Sequence, residues 1–149
     1  MVEESRRWIL LKYFLHGIAF SAILIVLILF WSVLLVVLVT FGYVIGLILG
    51  LIALFYLLGG VNTYLTGVIW GIRVKRGWKT LLRHGLVLFM GLVLVHIPAL
   101  IVARAVPSPV ATVPLLIIYG FVDGFVALHI GAFYKEEPEE ADARVSDES

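Results

Sequence analysis

No cysteine occurs among the 149 residues, which excludes disulfides, thiolate catalysis and cysteine-ligated metals. Charge is scarce too. Asp, Glu, Lys and Arg make up 14% of the chain, against 62% hydrophobic residues and a mean hydropathy of +1.12. A soluble domain of this size needs far more polar surface to meet water. From Tyr13 to Ile72 the scarcity is complete: 60 consecutive residues hold none of the four charged types. As one helix this stretch would run about 90 Å at 1.5 Å per residue. A bilayer core is about 30 Å thick and is crossed by roughly 20 apolar residues. The stretch must therefore cross, turn and cross back. Catalytic signatures are missing as well, with no nucleophile motif, no phosphate loop and no paired carboxylates, so no enzyme and no cofactor are expected.

What remains is apolar sequence in four segments, at about 13–40, 44–72, 81–103 and 110–134. A tight turn near Phe41-Gly42-Tyr43 separates the first two, and Pro107-Ser108-Pro109 breaks the chain before the last, since proline cannot continue a helix. The expected fold is an all-α integral membrane protein, with four transmembrane helices in an up-down antiparallel bundle. Residues 1–12 form a basic N-terminus. Residues 135–149 form an acidic tail, KEEPEEADARVSDES, whose seven acids and two bases leave too little apolar surface to fold alone.

Basic residues set the orientation. Arg6, Arg7, Lys12, Arg73, Lys75, Arg76, Lys79, Arg83, Lys135 and Arg144 all fall on one side, and only Arg104 falls on the other. Both termini and the loop after the second segment are therefore expected in the cytoplasm, with the protein a multi-pass component of the cell membrane. The Arg6-Arg7 pair precedes an apolar run too long for a signal peptide, so it is expected to anchor the first helix. Trp8, Tyr13, Trp70, Trp78 and Tyr134 lie near the same side, as an interfacial aromatic belt would. Arg73, Lys75, Arg76 and Lys79 suit anionic lipid headgroups. Nucleic acid is not an expected partner, because no folded basic domain presents these residues.

Small residues mark one face of the second segment. At 100° per residue, Gly42, Gly46, Gly50, Ala53, Gly60, Gly67 and Gly71 fall within an arc of about 100°. Gly120 and Gly124 begin a shorter stripe on the fourth. Such stripes let helices approach backbone to backbone, within one chain or at an interface with a second copy or a membrane partner.

Polar residues at membrane depth are costly and mark candidate sites. Asp123 is the only acid there, and it is expected to be neutral unless a cation or water cavity meets it. His96 and Tyr119 are its expected neighbours by depth. Asn62 projects away from the glycine stripe toward a different neighbour. Pro98 leaves the carbonyl of Leu94 without its intrahelical donor, and the Tyr119 hydroxyl could supply one. His16, His84 and His129 are expected near the cytoplasmic end, without the spacing of a metal site.

The first functional expectation is a non-catalytic structural or accessory bundle. The alternative is an oligomeric proton or proton-coupled transporter using Asp123, with His96, Tyr119, Asn62, Thr66, His129 and His84 as a polar ladder.

Overall fold

A computed structural model describes the backbone of residues 2–105 and 109–137. Pro107 and Ser108, Arg144 and most of the acidic tail lie outside the described residues. The architecture is all-helical: α1 spans Val2–Trp70, α2 Trp78–Ala105 and α3 Pro109–Phe133. All three helices are long and apolar enough to cross a membrane.

α1 is not one straight rod. Its backbone leaves helical angles at Gly42, with φ −167° and ψ 72°. That φ is extended and open to any residue, so the turn does not depend on glycine's freedom. Beyond it the second arm of α1 runs back along the first. The Trp31 indole donates to the Gly50 carbonyl at 2.7 Å, and the side chain of Leu35 packs on Gly50. The break at Gly42 falls within the expected Phe41-Gly42-Tyr43 turn and divides α1 into two helical arms. The chain then enters α2 through a loop at residues 71–77. α1 ends because Gly71 adopts φ +66°, a left-handed conformation that favours glycine and terminates helices. Its N–H bonds the Gly67 carbonyl at 3.0 Å.

That loop is pinned to the end of α3. Val74 and Lys135 form an isolated antiparallel bridge. The N–H of Lys75 donates to the Tyr134 carbonyl at 3.1 Å, and that of Glu136 to the Arg73 carbonyl at 2.9 Å. The start of α1, the loop and the end of α3 therefore share one end of the molecule, here the basic end. Gly42, the end of α2 and the start of α3 mark the far end.

Glycine sets the closest helix approaches, some on the expected stripes and some off them. A Cβ on Gly17 would meet the Gly120 carbonyl, and one on Gly124 would meet the Tyr13 carbonyl. Likewise a Cβ on Gly59 would meet the Leu81 carbonyl, one on Gly85 that of Phe55, and one on Gly46 that of Leu38. Only hydrogen in place of a side chain allows such backbone approach. Gly46 and Gly50 of the expected stripe do pack, against the first arm of α1. Gly60 faces open space, Gly67 has only the Ile72 carbonyl at 3.7 Å, and Gly71 is the helix stop. The stripe reading placed Gly60 at the contact, whereas the close approach uses Gly59, 100° around the helix. Gly120 and Gly124 pack against the first arm of α1, through Phe14, Ile18 and Tyr13.

The apolar core consists of Phe20, Leu54, Leu58, Leu65, Leu88, Leu92 and Ala127, most of it toward the basic end. Past Phe20 in the first arm of α1, past Leu92 in α2 and before Gly120 in α3, no described side chain is buried.

Candidate functional site

The polar residues within the helices form two separate clusters. The first is built around Asn62, which is fully buried together with His16, Thr66 and His84. Asn62 Nδ2 lies 2.9 Å from the Ala127 carbonyl and 2.8 Å from His84 Nε2. Its Oδ1 lies 3.0 Å from His16 Nε2. The Trp70 indole sits 2.9 Å from His16 Nδ1, and the Thr63 hydroxyl 3.4 Å from His84 Nδ1.

Two of these groups cannot switch roles, and they fix the rest. A carbonyl only accepts, so the Asn62 amide must turn its NH2 toward Ala127 and its oxygen toward His16. An indole N–H only donates, so His16 Nδ1 accepts and its Nε2–H donates to Asn62 Oδ1. The second amide hydrogen of Asn62 goes to His84 Nε2, which leaves Nδ1–H of His84 to face Thr63. Both imidazoles are used in their neutral form. Every strong donor and acceptor in the chain of contacts has a partner, and the partners come from both arms of α1, from α2 and from α3.

Aromatic rings cover this network from the basic end. Tyr134 stacks on His84 with centroids 4.9 Å apart and planes at 18°. Tyr13 lies 5.0 Å from Trp70, whose ring also receives Lys12 Nζ at 5.5 Å. Trp70 and Tyr134 thus turn inward, where an outward-facing belt was expected. Trp8 and Trp78 stay exposed.

The second cluster contains Asp123. The Ser21 hydroxyl donates to Asp123 Oδ2 at 3.3 Å, and His96 Nε2 approaches the same oxygen at 3.6 Å. Asp123 Oδ1 is buried with no hydrogen-bond partner. His96 packs against Tyr119 with centroids 5.0 Å apart. The Tyr119 hydroxyl donates to the Val95 carbonyl at 3.2 Å, next to the Leu94 carbonyl that Pro98 leaves free.

His96 and Tyr119 therefore stand near Asp123, while Asn62 does not join them. It serves the other network, because its side chain points into the middle of the bundle where His16 and His84 converge. His16 and His84, expected near the cytoplasmic end, lie at the basic end and are fully buried. Ser21 was not anticipated at all. His129 leaves the proposed ladder: it is exposed and its Nδ1 donates to the Phe125 carbonyl of its own helix at 2.8 Å. Thr66 Oγ1 is buried without a hydrogen-bond partner and rests against Gly131. Among the described residues, no group of three or more His, Asp or Glu is placed to hold a metal ion.

The signal for the first cluster was weak in the sequence: His16 and Asn62 lie 26 and 20 residues from Gly42 on antiparallel arms, so helix rise alone leaves them about 9 Å apart in depth. Compared with known protein families, with characterised proteins and with solved structures, the chain matches none.

Proposed function

We propose that this chain is a multi-pass protein of the cell membrane whose role is structural or accessory rather than catalytic. Counting the two arms of α1 separately gives four crossings in an up-down bundle. The basic end faces the cytoplasm and carries both termini. The observation that carries this reading is the Asn62 network. It draws on every helical arm, pairs Asn62 with both histidines in their neutral form, and leaves only the neighbouring Thr66 hydroxyl without a partner among the cluster's described groups. A catalytic or ligand-binding constellation leaves groups free for a reactant; this one spends its groups on joining helices.

At the basic end, Arg73, Arg76 and Lys79 are exposed beside Lys75 on a loop held in place by the Val74–Lys135 bridge. This arrangement supports capture of anionic headgroups, at about 1 kcal/mol per basic residue near the surface. A second copy of the chain or a membrane partner would find its contact area on the exposed apolar surface of the far half.

The alternative of proton or proton-coupled transport draws support from one observation, the unpartnered Asp123 Oδ1 next to His96. Against it, the remaining ladder does not continue: His129 faces away and Asn62 is fully engaged. Proton flux into liposomes separates the readings. Wild type and Asp123→Asn with equal, background flux are expected. Flux that depends on Asp123 would replace the structural reading with transport. Labelling of single introduced cysteines near residue 3, in the 71–77 loop and at Gly42 tests the topology. The first two should react from the cytoplasmic side and the third from the opposite side.

A further inference from the structure

Asp123 and His96 define where one proton can reside. His96 Nδ1 lies 2.8 Å from the Leu92 carbonyl. A carbonyl only accepts, so Nδ1 carries hydrogen. Nε2 is then the nitrogen that faces Asp123 Oδ2, at 3.6 Å. With no further proton the pair is a net anion whose carboxylate is buried among apolar helices and whose imidazole is part-exposed. With two it is a net cation. With one it carries no net charge, whether the proton sits on the carboxyl or on Nε2. Burial of net charge in low dielectric is strongly unfavourable, so the one-proton form is the state this environment accommodates.

Access to the pair is unequal from the two ends. The His96 side chain is 42% exposed, against 7% for Asp123. His96 lies in the far half, with Leu92 and Asp123 buried on its basic side and no buried side chain among the described residues of α2 beyond it. On the basic side, Phe20, Leu58 and Leu88 are buried, and behind them stands the Asn62 network. A proton moving that way would meet a network in which both histidines already use each ring nitrogen.

Few other groups could titrate with the pair. α2 contributes His96 and α3 contributes Tyr119. The first arm of α1 contributes Ser21, which is neutral, and its one histidine, His16, is bonded to Asn62 and Trp70. The second arm has no Asp, Glu, Lys, Arg or His between Gly42 and Trp70, and its tyrosines, Tyr43, Tyr56 and Tyr64, are exposed.

We infer that Ser21, Asp123 and His96 form a one-proton binding site, loaded from the far end through His96 and closed toward the basic end. The ligand is the proton itself. Ser21 orients the carboxyl, and Asp123 Oδ1 is the vacant acceptor. The inference rests on the membrane-bundle reading and adds to it a site that responds to the pH of one compartment only.

Dicyclohexylcarbodiimide is the probe. It dissolves in the bilayer from either side and reacts with a protonated carboxyl. The carboxyl proton passes to one carbodiimide nitrogen, the carboxyl oxygen bonds to the central carbon, and one C=N π bond is consumed. Nothing leaves, so the adduct carries the whole reagent mass and is located by mass spectrometry. The protein is placed in sealed vesicles with its far end outward, and pH is set independently on each side. The expected result is an adduct on Asp123 that follows external pH and ignores internal pH, and that is lost in Asp123→Asn. His96→Gln should displace the external-pH profile, while Ser21→Ala should displace it far less.

An adduct that follows internal pH, or both, overturns one-sided loading. No adduct at any pH overturns the proton site. A His96→Gln profile superimposed on wild type overturns the role of His96. Unfolding midpoints are recorded on the same samples. A wild-type protein that is folded but unlabelled defeats the site alone, whereas soluble behaviour without vesicles defeats the membrane-bundle reading beneath it.

Discussion

The two halves of this bundle hold together in different ways. In the basic half, hydrogen bonds run between helical pairs: Asn62 of α1 reaches both His84 of α2 and the Ala127 carbonyl of α3. In the far half, the bonds stay within pairs. Trp31 joins the arms of α1 to each other, and Tyr119 joins α3 to α2. Among the described residues, Ser21 and Asp123 form the last side-chain hydrogen bond between the pairs, at the boundary of the halves. In a bilayer, an apolar side chain gains little by leaving lipid for another helix. Apolar sequence alone therefore leaves helices adjacent but not committed to one another. Directional bonds and bare backbone make the commitment, and here both are concentrated at one end.

The comparison breaks most completely at the glycines. Gly85→Leu or Gly17→Leu would place a side chain where a neighbouring backbone already stands. Either should abolish the folded species in mild detergent, seen as loss of a monodisperse elution peak. Next comes Asn62→Ala, which leaves Nε2 of both His16 and His84 without a partner and removes the tie to the Ala127 carbonyl. At about 1–3 kcal/mol per orphaned buried group, reduced by local relaxation, the expected loss is about 3 kcal/mol in reversible unfolding. In the far half the same kind of measurement should give less. Trp31→Phe removes one hydrogen bond at a half-buried position, and about 1 kcal/mol is expected. Smallest is Gly60→Ala. The new methyl meets nothing within 4 Å, and a helix interior prefers alanine by roughly 0.5–1 kcal/mol. A slight rise in the unfolding midpoint is therefore expected. A large fall there would mean that Gly60 faces a partner in the membrane. Equal losses from Asn62→Ala and Trp31→Phe would remove the distinction between the halves.

Much of this was legible in advance, and the reasons are physical. A charge-free run longer than any bilayer crossing requires helices and a reversal, whatever the side chains do. The clustering of basic residues foretold which chain segments meet at one end. The pairing of His96 and Tyr119 with Asp123 followed from counting depth along antiparallel helices. Other features resisted. A glycine stripe is a statement about angle, and a shift of one residue moves the contact by 100°, which separates Gly59 from Gly60. Gly71 resembled a packing glycine because it lies on the same arc, although its place just before Arg73 and the loop matches a helix stop. His16 and His84 sit at depths where an imidazole is equally at home facing headgroups. Only the register between helices decides that they turn inward, and register is a property of pairs of segments rather than of any one.

The position of Ala127 has a consequence for how the molecule is made. Its carbonyl is delivered by the last helix, and Tyr134 follows it by two turns. Until α3 emerges from the ribosome, Asn62 lacks an acceptor for one amide hydrogen and His84 lacks its stacking ring. In the membrane reading proposed above, the growing chain waits with these polar side chains incompletely matched until α3 completes them. A transcript truncated before Ala127 would yield an insertion product that is hydrophobic enough to stay in the bilayer yet carries exposed amide and imidazole groups. Membrane proteases and chaperones that sense such groups could tell the nascent chain from the finished one.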